Sequence, residues 1–263
     1  MKTPAFEIGS NQNWRQTIRM LLLISITFLF FTAWAVAQNS GVKFQAKLLV
    51  VDANEGIDIA DINQDGLPDV VAGRFWFQAP DFAVRPLRNI DDWNGYIHSI
   101  GEFCHDVDGD GWIDVIAGSF LPTEVYWYRN PGAAKLKQGV LWEKKLLVDT
   151  QLGQNEASFL RDLDGDGEVE WISNSWNKNN PMVIWGFKTE QRERKVKKGK
   201  GKKAKTVTES YAAPTLQKFI VGPANGHGIG FGDINNDGRE DILFANGWYE
   251  RPESNSMNQT WKL

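Results

Sequence analysis

The chain has one cysteine in 263 residues, Cys104, and that excludes an internal disulfide framework. It also lacks an excess of either charge: 29 Lys and Arg against 33 Asp and Glu leave a formal −4, which gives no support to nucleic-acid binding by the chain as a whole. No catalytic triad, phosphate loop or nucleotide signature recurs, so hydrolase and nucleotide-enzyme readings have no residue support. After residue 37 no long apolar run occurs. What remains is an ordinary globular balance, 42% hydrophobic and 24% charged, with 25 Gly and 12 Trp that favour turn-rich β structure.

The one long apolar run lies at the start. Residues 1–19 carry Lys2, Arg15 and Arg19 against Glu7, and Met20 to Ala37 holds no charge. The run closes on Ala35-Val36-Ala37, a small-x-small ending that signal peptidase accepts, followed by Gln38-Asn39-Ser40. Residues 1–37 therefore read as a cleavable signal peptide, with an uncleaved anchor as the rival, since about 20 apolar residues can span a bilayer. The expected location is secreted, periplasmic or extracellular, with no membrane span after cleavage.

One short pattern then occurs four times. Its copies are Asp61-Ile62-Asn63-Gln64-Asp65-Gly66-Leu67-Pro68-Asp69, Asp106-Val107-Asp108-Gly109-Asp110-Gly111-Trp112-Ile113-Asp114, Asp162-Leu163-Asp164-Gly165-Asp166-Gly167-Glu168-Val169-Glu170 and Asp233-Ile234-Asn235-Asn236-Asp237-Gly238-Arg239-Glu240-Asp241. All fit D-x-[DN]-x-D-G-x-x-[DE]. Ca²⁺ takes about 6–8 hard oxygen ligands. Positions 1, 3 and 5 of a tight loop turn side-chain oxygens inward, glycine at 6 permits a left-handed turn, and position 9 adds a last carboxylate. The expected ligands are Asp61, Asn63, Asp65 and Asp69; Asp106, Asp108, Asp110 and Asp114; Asp162, Asp164, Asp166 and Glu170; and Asp233, Asn235, Asp237 and Asp241. Up to four calcium ions follow. A metal-free Asx-Gly turn is the bland alternative, which fourfold recurrence disfavours. An EF-hand fails: its bidentate Glu at position 12 is replaced by Ala72, Ala117, Ser173 and Phe244.

Apolar pairs follow each loop: Val70-Val71, Val115-Ile116, Trp171-Ile172 and Ile242-Leu243. Ile59, Cys104, Leu160 and Phe231 precede it, which makes each loop the tip of a β-hairpin. A third segment centres on Trp76, Trp127, Trp185 or Trp248, whose recurrence predicts inter-sheet packing. A fourth is Leu141–Val148 or Leu216–Val221, with Phe82–Ile90 a weaker match. Four antiparallel strands per unit predict an all-β chain of β-propeller blades near 55–90, 97–149, 155–221 and 226–263.

These loops and flanking strands resemble the FG-GAP or VCBS-type calcium-binding propeller repeats of integrin α-chains and many secreted bacterial proteins, over roughly 43–263. The resemblance implies a binding or interaction module, for carbohydrate or an extracellular protein. It equally covers polysaccharide lyases and aldosulose-type sugar dehydratases, so the alternative is the propeller domain of a carbohydrate-active lyase or dehydratase. Lys43–Val51 reads as an extra strand, and Gln259–Leu263 resembles the opening of Leu141–Leu146. Both favour about four blades of a larger, truncated propeller.

Glu55, Glu156 and His227 stand six residues before their loops, with His98 near the equivalent place in the second repeat. They are the candidate catalytic residues at the channel mouth, able to hold an additional transition metal or to act as acid and base on a sugar. The bland alternative is a polar rim. Trp93 and Trp176 are candidate sugar contacts. His105 is expected to hydrogen-bond locally and Cys104 to be a buried apolar-like side chain. Finally, 188–206 holds ten Lys or Arg and two Glu, a net +8. It is expected to be a disordered insertion, or a clamp for acidic polysaccharide.

Overall fold

The computed structural model describes residues 42–199, 204–254 and 256–263. The expected signal peptide lies outside them. The chain divides into two compact units, 1–48 and 49–263. Among the described residues of the first, 42–48, there is no strand.

The second unit is built from antiparallel meanders. The first sheet is β1 (Asp58–Ala60), β2 (Asp69–Ala72), β3 (Phe75–Gln78) and β4 (Ala83–Pro86). A two-stranded ribbon follows, β5 (Asp92–Trp93) and β6 (Tyr96–Ile97). The second sheet is β7 (Gly101–His105), β8 (Asp114–Gly118), β9 (Glu124–Arg129) and β10 (Glu143–Asp149). The third is β11 (Asn155–Arg161), β12 (Glu170–Ser175), β13 (Met182–Lys198) and β14 (Lys205–Gly222). The last has three strands, β15 (Ile229–Gly232), β16 (Asp241–Phe244) and β17 (Gly247–Tyr249). In every sheet the D-x-[DN]-x-D-G loop joins the first two strands.

The paired apolar residues after each loop are explained by burial on both faces. Side chains alternate along a strand, so neighbours point to opposite faces. Val71 and Trp76 of the first sheet pack with Val115 and Tyr128 of the second. Ile116 and Trp127, on the other face of the second sheet, pack with Trp171 and Trp185 of the third. Ile172 and Ile184 then meet Ile242 and Tyr249 of the last sheet. The remaining partners face outward: Ile59 is 61% exposed, and Leu243 and Trp248 are half-buried. The fourth tryptophan therefore leaves the inter-sheet core to Tyr249, and Trp185 faces the opposite neighbour from Trp76 and Trp127.

Trp142 and Trp261 repeat one role. Trp142 donates its N–H to Leu87 O and Trp261 to Val221 O, both at 2.8 Å, and both rings are buried. Each leads into the chain beside a sheet and docks on the end of the preceding one. Only Glu250 and Lys262 form a bridge there, so Gln259–Leu263 does not complete a fourth strand.

Two expectations are corrected. Lys43–Val51 forms no strand: it has no ladder partner among the described residues, and Phe44, Leu48 and Val51 are exposed. The described part of the basic insertion is not disordered. Residues 188–198 continue β13 and 205–206 begin β14, in register from Lys188↔Thr215 to Lys198↔Lys205. The returning strand supplies β-branched Thr206, Val207 and Thr208 and the acid Glu209 opposite the basic run, so the charges gain partners that a linear reading misses. Closure into a ring is not seen among the described residues. A short helix, α1 (Ala133–Gln138), was not anticipated; it buries Leu136 and ends at left-handed Gly139.

Candidate functional site: cation loops and an aromatic pocket

Each loop is drawn together by its own carboxylates. The first Asp accepts the N–H of position 6 at 2.8–3.0 Å in all four copies: Gly66 on Asp61, Gly111 on Asp106, Gly167 on Asp162 and Gly238 on Asp233. The fifth residue accepts the N–H of position 7, at Asp65, Asp110, Asp166 and Asp237. Position 6 is left-handed throughout, with φ of 84° to 96°, which glycine alone adopts freely. Position 4 is left-handed as well, at Gln64, Gly109, Gly165 and Asn236.

The closing acids lie at the loop bases, fully or nearly buried. Asp69 accepts the N–H of Ile62 and Ala79, Asp114 those of Val107 and Asn130, and Asp241 those of Ile234 and Arg251; Glu170 accepts that of Leu163. These bonds tie the start of each loop to its base, a role the ligand reading alone did not include. Carboxylate oxygens keep a second lone pair for a cation. In the second and third loops the oxygens converge. Asp106, Asp108 and Asp114 bring ligand atoms within 4.8 Å of one another, as do Asp162, Asp164 and Glu170.

Burial pushes the Asp114 carboxyl up to about 7, against its two amide bonds and with help from Asp108 and Asp110. Burial likewise lifts Glu170 to about 7, with Asp164, Asp166 and Asp162 adding repulsion. Asp164 and Asp69 are raised by the same cause. Such strain among hard oxygen donors is what a divalent cation relieves. In the second loop a guanidinium already answers the charge: Arg129 pairs with Asp108 at 2.6 Å and with Asp110. Arg239 pairs with Asp237 in the fourth. The second and third loops could therefore each hold a metal ion on three carboxylates, a donor set of hard oxygens.

Two residues were missed from sequence. Asn130 donates its side-chain amide to Ile62 O and Ile113 O at 3.0 and 2.9 Å, and Arg251 reaches Leu163 O. Both follow an aromatic third strand, and both join one loop base to the preceding one. That shared offset was the available signal.

The mouth residues gather at the far end of the innermost strands. A cavity of about 270 Å³ is lined by Glu55, Trp93, His98, Phe120, Glu156 and Trp176. Its rings form a continuous wall. His98 stacks on Trp93 at 6.0 Å, Trp93 meets Phe120 at 6.2 Å, and Phe120 meets Trp176 edge-on at 5.4 Å. Trp176 then touches His227 at 5.6 Å, and His227 Nδ1 contacts Glu156 Oε2. Trp93 is held out by an Asn94-Gly95 hairpin, both residues left-handed as a type I′ turn requires. Beneath the wall Ser99 bonds the buried Arg88–Glu102 ion pair.

Among the described residues the groups that converge on one point are the two acidic loops, and Glu55, His98, Glu156 and His227 are not such a group. Glu55, His98 and Glu156 line a cavity wider than an ion, and His227 meets it through Glu156 and Trp176. Burial lowers the His105 pKa, and its ring packs on Phe187 at 4.9 Å. Burial raises the Cys104 thiol far above its ordinary value, which makes it inert.

Residues 106–173 match the family model of the FG-GAP-like repeat. No curated protein and no solved structure matches the chain. The matched span runs from the first aspartate of one loop to just past the closing glutamate of the next. The same loop pattern recurs at 61–69 and 233–241, outside the matched span, so 106–173 is the part of the chain that is similar to the FG-GAP-like repeat.

Proposed function

We propose that this chain is an exported, calcium-loaded interaction module of β-propeller type, whose aromatic pocket recognises carbohydrate. The observation that carries the ligand reading is the ring wall from His98 to His227 with carboxylates at its edge. Ring faces suit the C–H faces of a pyranose, and Glu55 and Glu156 accept from its hydroxyls. An extracellular protein presenting an aliphatic side chain is the other partner of this chemistry. Calcium in the loops, up to four ions, stiffens the hairpins that position the pocket. The apolar Met20–Ala37 run behind a basic start supports export. Titration with a panel of neutral oligosaccharides tests the reading. Trp93→Ala and Trp176→Ala are each expected to weaken binding about tenfold, roughly 1.4 kcal/mol, with calcium-dependent melting unchanged. Binding that ignores both changes overturns it.

The contact of His227 with Glu156 favours a second reading, a lyase or dehydratase in which the pair moves a proton on the bound sugar. Here Glu156→Gln and His227→Ala would abolish turnover of an acidic or oxidised sugar while leaving its binding in place. A wild type that binds sugar and yields no product removes this reading and keeps the first.

A further inference from the structure

We infer that the long ribbon of β13 and β14, together with the cleft at its base, is a second binding surface, and that it takes an acidic polysaccharide. The inference is independent of the aromatic pocket. β12 pairs with β13 only between Glu170↔Gly186 and Ser173↔Val183, so the ribbon from Phe187 onward has two strands. A free two-stranded ribbon is marginal in water. This one is anchored on the second sheet: Arg192 donates to Leu146 O at 3.1 Å and to Leu147 O, and Thr215 Oγ1 donates to Leu147 O at 2.9 Å.

The anchoring leaves a cleft of about 480 Å³ whose walls include the cations Lys145, Arg192 and Arg194, the rings of Trp127 and Tyr211, and two acids, Asp108 and Glu143. Its size lies within the roughly 300–1,000 Å³ of small-ligand sites. Three cations face it, and two of them lie on rings: Lys145 Nζ is 5.0 Å from the Trp127 centroid and the Arg194 guanidinium 5.2 Å from that of Tyr211. Each of the three also pairs with a glutamate, Lys145 with Glu143 at 3.6 Å, Arg192 with Glu190 at 2.6 Å and Arg194 with Glu209 at 3.6 Å. A ligand carboxylate or sulfate therefore has to share or displace these partners, while stacking and the main-chain bonds of Arg192 keep the cations in place for it. Along the ribbon Lys195 and Lys197 point to the opposite face, and neither has an ion-pair partner among the described residues. With 188–206 at +8, the rest of the chain carries −12, so this is where an anion would be drawn.

The geometry separates polysaccharide from other polyanions. Single-stranded nucleic acid needs open ring faces on which bases stack. Trp127 is 2% exposed, and Arg194 lies over Tyr211. A membrane needs an apolar face to insert. Val196 and Val207, opposite each other, are the only large aliphatic side chains among the described residues from 188 to 210, and both are half-buried. Lysines on an edge also guard against strand addition, and that protective role alone predicts no saturable ligand.

The test uses the full chain at fixed calcium, with dextran sulfate and polygalacturonate as probes and uncharged dextran as reference. Wild type is expected to bind both anionic chains saturably, with affinity falling steeply as salt rises. Lys145→Gln with Arg194→Gln should weaken binding tenfold or more, and Lys195→Gln with Lys197→Gln about threefold, both with the wild-type calcium-dependent melt. Lys137→Gln with Lys178→Gln removes the same charge elsewhere and should change affinity less than twofold. The proposal is overturned if the cleft variant binds as wild type while folded, or if the control pair loses as much. It is also overturned if oligodeoxythymidylate or anionic vesicles compete better than polygalacturonate at equal ionic strength.

Discussion

The second and third loops carry Asp at position 3 and Gly at position 4 where the first and fourth carry Asn at 3 and Gln64 or Asn236 at 4, and the change at position 3 sets how much negative charge each loop gathers. In the first and fourth, position 3 is Asn63 or Asn235. Its amide donates to the neighbouring Asp65 or Asp237 at 2.9 and 2.8 Å while its oxygen accepts the N–H of that same residue. The loop satisfies itself. In the second and third, Asp108 and Asp164 have nothing to donate, three carboxylates converge, and Asp114 and Glu170 are pushed up to about 7. An amide in place of a carboxylate thus removes one of the charges that a cation, or a guanidinium such as Arg129 in the second loop, can balance.

The largest effect that tests this contrast is calcium removal. A site saturated at 100–1,000 times its Kd contributes about 2.7–4.1 kcal/mol, and each kcal/mol moves the Tm of a chain this size by roughly 2–4 °C. The Tm with calcium is expected to exceed that with chelator by ten degrees or more. Asp108→Ala with Asp164→Ala should remove most of the gap, and Asn63→Ala with Asn235→Ala the smaller part. Equal losses from both pairs would break the comparison.

Next comes the base of the loop, where the acid has a task besides the ion. Asp114 is wholly buried and accepts two amides. Asp114→Ala leaves both without a partner and should cost about 2–4 kcal/mol in urea unfolding even under chelator. A cost that vanishes with the chelator would make Asp114 a ligand and nothing more.

The loops were legible because their chemistry is local: four residue types at five fixed positions within nine. The hairpins and third strands were legible for the same reason, in apolar pairs such as Val115-Ile116 and centres such as Trp127. What escaped depends on partners far along the chain. The role of Asn130 exists only because Ile62 lies against it, 68 residues earlier. Trp248 repeats the strand pattern but packs against no further sheet among the described residues, so the same letter that is core at Trp127 is half-buried there. The basic ribbon misled because like charges were weighed along one strand, when Glu209 stands opposite on the next. At the mouth, Glu55, His98 and Glu156 line one cavity, but its walls are set by Trp93, Phe120 and Trp176 from three other segments, which the six-residue spacing does not reveal.

A smaller effect is in pH. Asp114 and Glu170 titrate near 7 in the folded chain and near 4 when unfolded. Their folded pKa is raised, so their contribution to metal-free stability is full below about pH 4 and is lost as pH rises through 7. Calcium needs the ionised forms, so its stabilising increment should grow between pH 5 and pH 8 in calorimetric melts. An increment constant over that range would remove the closing acids from the ligand set.

The smallest effect sharpens the contrast within one residue. Asn63→Asp gives the first loop the charge of the second while leaving its backbone, with Gly66 left-handed at φ 84°, unchanged. It removes the amide's bond to Asp65 and sets a third carboxylate beside Asp61 and Asp65, for about 1 kcal/mol of destabilisation under chelator. In calcium the same carboxylate becomes a ligand, so the sign should reverse and the variant should melt at or above wild type. Both halves are needed. A loss under chelator alone would show that the amide only stitches the loop, and a gain in both conditions would show that the acids do not repel. Reversal of sign across one substitution is the outcome that a cation-binding loop, and not a turn that merely favours Asp and Gly, produces.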